Sequence, residues 1–402
     1  MKRILLINAV CGTGSTGRIV ADLWKTLKNK GCEAKVAFGV GEGLLVDKQD
    51  QFKFNNKWGY YLHNAISRIT DRAGFYSNIP TLRLLRFMDQ YKPDLIHLHN
   101  LHGYYVNIRL LFDYIKQHDI PVVWTLHDCW AFTGHCTYFD FVGCDRWHTK
   151  CFDCPQKKEY PQSLVIEQSA RNFRQKKELF TSLNKISIVT PSKWLADCVK
   201  QSFLSKYDIT TIPNGIDLEV FRPVKSDIKN RLNIPEDKKI VLAVANVWNE
   251  KKGFSDVIRL SQLLPTNEYQ VVMVGVTKSQ LSILPHSILG IERTKNINEL
   301  VELYSAADIF FNPSKEETMG MVTAEALACG TPAIVYDRTA VPEVVDNFSG
   351  IVISDICSCD IRRIINLTSN FNVQDCVNRA SSFEKKKQYD TYIKRYRSLI
   401  GE

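Results

Sequence analysis

The chain has 402 residues, of which 45% are hydrophobic and 24% are charged, and this balance is typical of a globular protein with room for two domains of about 200 residues each. No apolar run approaches the roughly 18 residues that a membrane span requires. The formal net charge is +9, but the basic residues are scattered and do not alternate with aromatic residues, so we expect no nucleic-acid partner.

The scattered basic excess leaves two interpretations open. It fits solvated helix faces, and it also fits attraction to anionic lipid or to phosphate-bearing ligands. The opening segment MKRILLINAVCG is too briefly apolar for a signal peptide and lacks a small-residue cleavage site. We interpret it as a first buried strand and expect a cytoplasmic location.

A glycine loop follows this strand. Gly12, Gly14 and Gly17 form G-x-G-x-x-G between an apolar strand and a helix pattern, as in a dinucleotide-binding fingerprint. That cofactor also needs an acidic residue about 20 positions later, at the end of the second strand. The second strand instead ends with Phe38 and Gly39. An NAD-dependent oxidoreductase or epimerase is therefore the weaker alternative.

Apolar segments of strand length alternate with amphipathic segments along the whole chain. The strand-like segments are RILLIN, AKVAFG, DLIHLH, PVVWTL, ISIVT and ITTIP, then KIVLAVAN, YQVVMVG, ILG, IFFNP, PAIVY and GIVI. Strands that are apolar on both faces and separated by helices indicate parallel sheets covered on both sides. We predict domains at 1–205 and 206–382, followed by a helix at 383–402 whose tyrosines pack back toward the first domain.

Polar residues follow two strands of the first half directly. His99 and Asn100 come after DLIHL, and His127 and Asp128 come after PVVWTL. Ligands of open parallel sheets bind beyond the carboxyl ends of the strands. We therefore expect these side chains to converge with the glycine loop on one site.

A cysteine-rich insert at residues 129–160 follows this second pair. Cys136, Cys144, Cys151 and Cys154 form C-x7-C-x6-C-x2-C. Four thiols within so short a segment suit a structural Zn²⁺. Free thiols and disulfides are the alternatives, although a reducing cytosol disfavours disulfides.

The second half contains the segment NPSKEETMGMVTAEALACGTP. A helix is predicted over residues 319–329, and Glu325 lies among its apolar and small residues, where an unpaired carboxylate is costly. Glu317 lies just before it, and the amides of Gly320 and Met321 would form an anion site at the helix N-terminus. Two carboxylates beside a phosphate site suit a nucleotide-sugar. The alternative is that Glu317 is an exposed loop residue and Glu325 a satisfied helix residue.

Glu317 and Glu325, spaced as E-x7-E and followed by ALACGTP, resemble the signature of the retaining family-4 glycosyltransferases of the GT-B class. TLHDCW, PNGID, NVWNEKKG and the C-terminal amphipathic helix are similar to family segments in the same order, so the resemblance covers essentially the whole chain. It implies an α/β fold with two Rossmann-like, doubly wound parallel-sheet domains facing across a cleft.

The resemblance also implies roles for particular residues. Glu325 would accept the ribose hydroxyls of the donor, and Glu317 would contact its sugar. Lys252 would bind the diphosphate and stabilise the leaving-group charge. His127 would lie near the reacting sugar, and Asp128 would bind the acceptor or orient His127. The catalytic candidates are thus His127, Lys252 and Glu317.

The full candidate sets are larger. The donor-binding set is Gly14, Asn246, Lys251, Lys252, Glu317, Gly320, Met321 and Glu325. The acceptor-side set is Gly12, Ser15, Thr16, Arg18, His99 and Asp128.

Two departures from the family pattern stand out. Asn246 occupies the position where the family usually has an arginine, and Lys251 could supply the lost phosphate contact. The segment DRTAVPE lacks the paired glycines often found there but keeps Glu343.

The resulting prediction is a retaining transferase that moves a sugar from a UDP- or GDP-sugar to a hydroxyl of a glycan, with a lipid-linked acceptor in capsule or surface-polysaccharide assembly. Front-face attack, in which the acceptor hydroxyl gives its proton to the departing phosphate, is the route that the resemblance implies. No catalytic cofactor is expected, a structural Zn²⁺ is possible, and peripheral contact with the inner face of the cytoplasmic membrane is compatible with the charge. A non-catalytic nucleotide-sugar or glycan-binding protein is the remaining alternative.

Overall fold

The computed structural model describes residues 2–356, 360–368 and 370–401, and it divides the chain into two compact units. The first unit runs to Pro213 and also includes the segment from Tyr389 onward, whereas the second unit is Asn214–Gln388. Cys357 and Cys359 lie outside the described residues.

The first unit is built on a seven-stranded parallel sheet with the order β3-β2-β1-β4-β5-β6-β7. Its strands are β1 (Arg3–Asn8), β2 (Glu33–Phe38), β3 (Gln51–Lys53), β4 (Leu95–Leu98), β5 (Val122–Thr125), β6 (Ile186–Thr190) and β7 (Asp208–Thr211). Its helices are α1 (Gly14–Asn29), α2 (Lys57–Thr70), α3 (Asn78–Tyr91), α4 (Ile108–Gln117), α5 (Ser169–Phe180) and α6 (Lys193–Lys200).

Helices cover both faces of this sheet, which explains its continuous apolar strands. Leu5 and Ile7 of β1 belong to the core on one face, and Ile4 and Leu6 belong to the core on the other. Asn107 begins α4 as an N-cap, because its side chain accepts hydrogen bonds from the first free amides of the helix.

The second unit contains a six-stranded parallel sheet with the order β10-β9-β8-β11-β12-β13. Its strands are β8 (Lys239–Val244), β9 (Tyr269–Val274), β10 (Ile288–Ile291), β11 (Ile309–Asn312), β12 (Ala333–Tyr336) and β13 (Gly350–Ile353). Its helices are α7 (Ile228–Arg231), α8 (Phe254–Leu263), α9 (Lys278–Leu281), α10 (Ile297–Ala306), α11 (Met321–Ala328), α12 (Ile361–Thr368) and α13 (Val373–Ser381).

Helix α14 (Lys385–Ile400) begins in the second unit and continues into the first. Tyr389, Tyr392 and Tyr396 are buried in the first unit's core. The hydroxyl of Tyr396 lies 2.6 Å from Nδ1 of His97.

Two parallel α/β units confirm the predicted fold class. The unit boundary lies at Pro213/Asn214, beyond the predicted 205/206, because β7 pairs with β6 and belongs to the first sheet. Among the described residues, no helix is both long enough and apolar enough to cross a bilayer.

Candidate functional site

The glycine loop packs tightly at the start of α1. Gly12 has φ +72°, and a Cβ at this position would lie 2.0 Å from the carbonyl oxygen of Leu44. Its amide donates to the carbonyl of Gly17 at 3.0 Å. Of the acceptor-side candidates in this loop, Ser15 and Arg18 are exposed. Gly12 is therefore required by a close backbone approach, whatever the loop binds.

Asn8 joins this loop to the end of β4. Its side-chain nitrogen Nδ2 donates to the carbonyl of Val10 at 2.9 Å and lies 3.4 Å from Oγ1 of Thr16. Its side-chain oxygen Oδ1 accepts from the backbone amide of Asn100 at 3.3 Å. Sequence analysis did not select Asn8, although a polar last residue in an apolar strand was a visible signal.

A small pocket lies at the ends of β4 and β5. It is lined by His99, Asn100, His102, His127, Asp128 and Trp130, among others. The structure therefore brings the two predicted strand-end pairs together.

Two histidines of this pocket, His99 and His127, are held neutral. Nδ1 of His99 lies 3.0 Å from Nε2 of His127, and Nε2 of His99 has no hydrogen-bond partner within the described part of the chain. Burial lowers the pKa of His127 to about 4, although Asp128 partly offsets this effect. Burial likewise lowers the pKa of His99. Both rings can therefore serve as neutral hydrogen-bonding groups at pH 7.

Asp128 is paired with a histidine that sequence analysis missed. Its Oδ2 lies 2.6 Å from Nε2 of His102, and its Oδ1 accepts from the amide of Trp130 at 2.9 Å. Burial raises the pKa of Asp128, but the charge and hydrogen bond of His102 outweigh it, so the pKa is lowered. The hydroxyl of Tyr160 lies 3.1 Å from the other nitrogen of His102. The only sequence signal for His102 was its place in HNLHG, just after His99.

Lys252 and Glu317 meet in the second unit. Nζ of Lys252 lies 2.5 Å from Oε1 of Glu317 and donates to the carbonyl of Glu316 at 3.2 Å. The following Gly253 has φ +74°, and a Cβ there would lie 2.6 Å from Pro313. The Lys-Gly pair thus places the ammonium group beside the loop that carries Glu317.

Two further ion pairs surround this contact. Nζ of Lys251 lies 3.4 Å from Oε2 of Glu316, whose side chain is only 2% exposed. Nζ of Lys315 lies 2.8 Å from Oδ2 of Asp256. Glu316 was not a predicted site residue, but its buried carboxylate fixes the loop between β11 and α11. Asn246, at the position of the usual arginine, is exposed after β8.

Helix α11 begins at Met321 and not at residue 319 as predicted. Gly320 has φ +77°, a left-handed conformation that stops the helix from extending backward. The first amides of a helix have no partner within it, so those of Met321 and its neighbours point toward the N-terminus. This geometry suits an anion.

Glu325 contacts a buried tyrosine. Its Oε2 accepts a hydrogen bond from the hydroxyl of Tyr304 at 3.0 Å. Burial, and then the Glu325 carboxylate, raise the pKa of Tyr304, which stays a donor. Glu325 is half-buried and so keeps some access to solvent.

The cysteine insert is held by hydrogen bonds and aromatic packing. The thiol of Cys136 hydrogen-bonds to the sulfur of Cys154, and Sγ of Cys151 accepts from the amide of Gly134 at 3.1 Å. Cys144 is half-buried nearby. The residues that the structure describes contain no group of three or more His, Cys, Asp or Glu side chains placed to hold a metal ion. No disulfide joins the described cysteines.

Lys176 supports the same loop from inside. Its Nζ donates to the carbonyls of Trp130 and Thr133 at 2.8 and 3.1 Å and lies 3.4 Å from the centre of the Trp130 ring. Burial lowers its pKa to about 7. In the same insert, His135 forms an ion pair with Asp71. These contacts fix the backbone that follows Asp128.

Comparisons with known proteins agree across both units. Residues 16–220 match the family described as Glycosyltransferase Family 4, and residues 224–365 match Glycosyl transferases group 1. The chain is 24% identical over 374 residues to a putative colanic acid biosynthesis glycosyl transferase, WcaC, of Escherichia coli K12, which covers 88% of this chain and 87% of that one.

A second relative and two solved structures add detail. The UDP-Gal:alpha-D-GlcNAc-diphosphoundecaprenol alpha-1,3-galactosyltransferase of Escherichia coli is 25% identical over 223 residues, covering 50% of this chain and 57% of its own. The sucrose-phosphate synthase of Thermosynechococcus elongatus superposes with a TM-score of 0.69 at 16% identity, over 100% of both chains. HepE of Anabaena, solved with UDP and glucose, gives 0.63 at 15% identity, over 99% of this chain and 100% of that one.

Proposed function

The chain belongs to glycosyltransferase family 4, and on this premise we propose that it transfers a sugar from a nucleotide-sugar to a hydroxyl of a lipid-linked glycan during surface-polysaccharide biosynthesis. Family membership makes the chain an enzyme, so the non-catalytic and NAD-dependent alternatives lose their support. The contact between Lys252 and Glu317, beside the N-terminus of α11, carries the proposal. It places a cation and a carboxylate together, and Glu317 lies four residues before the start of α11.

The donor is proposed to bind in the second unit. Lys252, with Lys251, would face the diphosphate, and the amides of Gly320 and Met321 would receive its oxygens. Glu317 would accept hydroxyls of the sugar once the phosphate takes its place beside Lys252. Gly14 and Asn246 remain predicted donor contacts.

Glu325 is proposed to hold the ribose. Tyr304 fixes one carboxylate oxygen of Glu325 through its hydroxyl, so the carboxylate cannot rotate freely. A carboxylate with one oxygen held can accept hydroxyl hydrogen bonds in a defined direction. Two proteins similar to this chain are named with UDP or a UDP-sugar, so UDP-sugars are the first donors to test and GDP-sugars the second.

The proposed reaction retains the anomeric configuration. The bond between the sugar and the diphosphate breaks, a bond to the acceptor oxygen forms on the same face, and the acceptor proton passes to the departing phosphate. Lys252 stabilises the charge on that phosphate, and positioning supplies the rest of the rate. His127 faces the sugar as a neutral imidazole, since burial lowers its pKa to about 4.

The acceptor is proposed to bind at the pocket of the first unit. The Asp128 carboxylate, held by His102 and the Trp130 amide, is a strong acceptor for a sugar hydroxyl. Exposed Arg18 and Ser15, with Thr16, would contact the phosphate of a lipid-linked acceptor, whereas Gly12 would shape the turn that presents them. We further propose a cytoplasmic enzyme attached peripherally to the inner face of the membrane. Structural zinc in the cysteine insert stays a prediction that metal analysis of untagged protein would test.

A two-step experiment tests the proposal. In thermal-shift measurements, one of the nucleotides UDP, GDP and ADP should raise the apparent stability of the protein. Ligands that bind the folded state stabilise it by mass action. The corresponding sugar nucleotide should then release nucleoside diphosphate only when a polyprenyl-diphosphate-linked glycan is present. Glu317→Ala is the matched control and should lose release while remaining folded. Stabilisation by none of the nucleotides would contradict the proposed donor class.

A further inference from the structure

Helix α2 presents an apolar face to solvent. Trp58 is 83% exposed, Tyr61 51%, Leu62 63% and Ile69 52%. Their spacing of three, one and seven residues places them on a single face of the helix. In an ordinary surface helix this face would be buried.

The opposite face of α2 is polar and buried. His63 is 1% exposed, its Nδ1 lies 2.7 Å from Oγ of Ser77, and its Nε2 accepts from the amide of Gly74 at 3.2 Å. Burial lowers the pKa of His63 to about 3, so the ring is neutral and can accept this bond. Buried Ser67 lies one turn later. Because these hydrogen bonds hold the polar face inward, the apolar face is kept outward.

A second apolar segment adjoins the end of α2. Leu164, Val165 and Ile166 are 58%, 63% and 42% exposed. The amide of Leu164 donates to the carbonyl of Arg68 at 2.6 Å, and that of Ile166 donates to the carbonyl of Ile69 at 3.0 Å. The two segments therefore form one continuous surface. We name it the α2 face, and it comprises Trp58, Tyr61, Leu62, Ile69, Leu164, Val165 and Ile166.

The charged residues carried by α2 itself are all basic. Neither α2 nor the segment 160–166 contains an Asp or Glu residue, although Glu159 and Glu167 flank that segment. Lys57 and Arg68 are exposed on α2 itself, and Nζ of Lys157 is held at the carbonyl of Val165 at 2.8 Å. Basic residues beside tryptophan, tyrosine and aliphatic side chains are typical of helices that lie in the interface of an anionic bilayer.

We propose that the α2 face docks this protein onto an anionic lipid surface. The 14 residues of α2 are too short to span a bilayer, so the helix lies flat, with its apolar residues among the acyl chains and its cations at the headgroups. The role of the α2 face rests on the proposed function, since docking would bring the enzyme to its lipid-linked acceptor. Lipid binding itself requires neither donor nor sugar transfer.

Vesicle sedimentation tests the proposal with no substrate present. The wild-type chain should sediment with phosphatidylglycerol-containing vesicles and much less with pure phosphatidylcholine. The double exchange Trp58→Ser and Leu62→Ser should lower the vesicle partition coefficient about tenfold or more, since two apolar side chains no longer enter the bilayer. The control exchanges Ile283→Ser and Phe348→Ser, at positions 65% and 68% exposed, should leave it unchanged.

Tryptophan fluorescence locates the contact. Trp58 is the one tryptophan of the seven that is mostly exposed, since the others are buried or half-buried. Brominated lipids should therefore quench the Trp58 component of the wild-type emission and leave the emission of the other tryptophans largely unchanged. Trp58→Phe should still sediment with the vesicles but lose most of that quenching.

Three results would overturn the inference. They are equal vesicle binding by the α2-face and control variants, absence of Trp58 quenching in bound protein, and a wild-type dimer that only the α2-face variant breaks. A parallel transfer assay with a water-soluble acceptor separates this failure from that of the proposed function. The α2-face variant should keep this activity, whereas an inactive wild-type chain that still binds vesicles would count against the proposed reaction alone.

Discussion

Replacing Lys252 with alanine should separate catalysis from folding. Nζ of Lys252 lies 2.5 Å from Oε1 of Glu317, and the two side chains are 28% and 20% exposed. Solvent screens a pair of this kind, so its loss should cost about 1 kcal/mol of unfolding free energy or less. For a unit of this size, that loss corresponds to a fall in Tm of about 2–4 °C.

The effect on turnover should be far larger. Lys252 is proposed to stabilise charge that grows on the departing diphosphate, and removing one preorganised stabilising group costs about 10²- to 10³-fold in kcat, or roughly 3–4 kcal/mol. Glu317→Ala should give a loss of similar order, because the donor sugar then loses its carboxylate contact. Release of nucleoside diphosphate at saturating donor measures kcat, and calorimetry measures Tm.

Lys315→Ala is the matched control. Lys315 forms a comparable ion pair, 2.8 Å from Asp256, with side chains 26% and 15% exposed. It should show the same small fall in Tm while kcat stays within a few-fold of wild type. Near-normal turnover by Lys252→Ala, or equal losses for Lys252→Ala and Lys315→Ala, would refute the role assigned to Lys252.

Three further exchanges test other parts of the structure. Gly253→Ala places a Cβ 2.6 Å from Pro313 at φ +74°, so denaturant unfolding should show a loss of about 1–3 kcal/mol. The hydrogen bond from Cys136 lowers the pKa of Cys154 to about 7, so iodoacetamide should modify Cys154 with a midpoint near that pH, and Cys136→Ala should move the midpoint upward. Asp128→Asn should raise the KM for the acceptor while the KM for the donor is unchanged, because it removes the carboxylate proposed to bind acceptor hydroxyls.

Internal controls accompany these exchanges. Gly143 has φ +61°, but a Cβ added there would meet no described atom within 4 Å, so Gly143→Ala should cost less than Gly253→Ala. Burial raises the pKa of the Cys198 thiol to about 12, and its alkylation should need a correspondingly higher pH. Equal costs for the two glycines, or one shared midpoint for both thiols, would contradict the geometry. A changed donor KM in Asp128→Asn would assign that residue to the donor side.

The alternation of apolar strands and helices was enough to predict two parallel sheets, because strands buried on both faces have no polar positions. The same alternation did not predict contacts between residues that are distant in sequence. Lys252 and Glu317 were selected through a family resemblance, and only the fold shows that they touch across 65 positions of sequence. His102 was missed because a histidine four residues after a strand has no evident role until the fold brings it to Asp128, which follows another strand.

Helix α2 shows a second limit of sequence patterns. Its apolar stripe has the same period as a core-facing helix, so the pattern predicts that this stripe is buried. Burial is decided instead by where the polar residues find hydrogen-bond partners. His63 finds them at Ser77 and Gly74 inside the unit, so the stripe faces solvent. Periodicity thus identifies the residues that share one face of a helix, but it does not determine whether that face packs into the core or lies against solvent.

The glycine loop also shows that a sequence pattern does not by itself determine its structural or functional role. Its G-x-G-x-x-G spacing is that of a dinucleotide site, yet the carbonyl of Leu44 alone excludes any side chain at Gly12. The amide of Gly12 is bonded to Gly17 and so is committed to the turn. The spacing therefore predicts a tight turn between strand and helix. The residues that follow the neighbouring strands determine which ligand binds. β2 ends at Phe38 without a carboxylate, and β4 and β5 are followed by histidines and Asp128. This edge of the sheet therefore suits a hydroxyl-bearing glycan better than a dinucleotide.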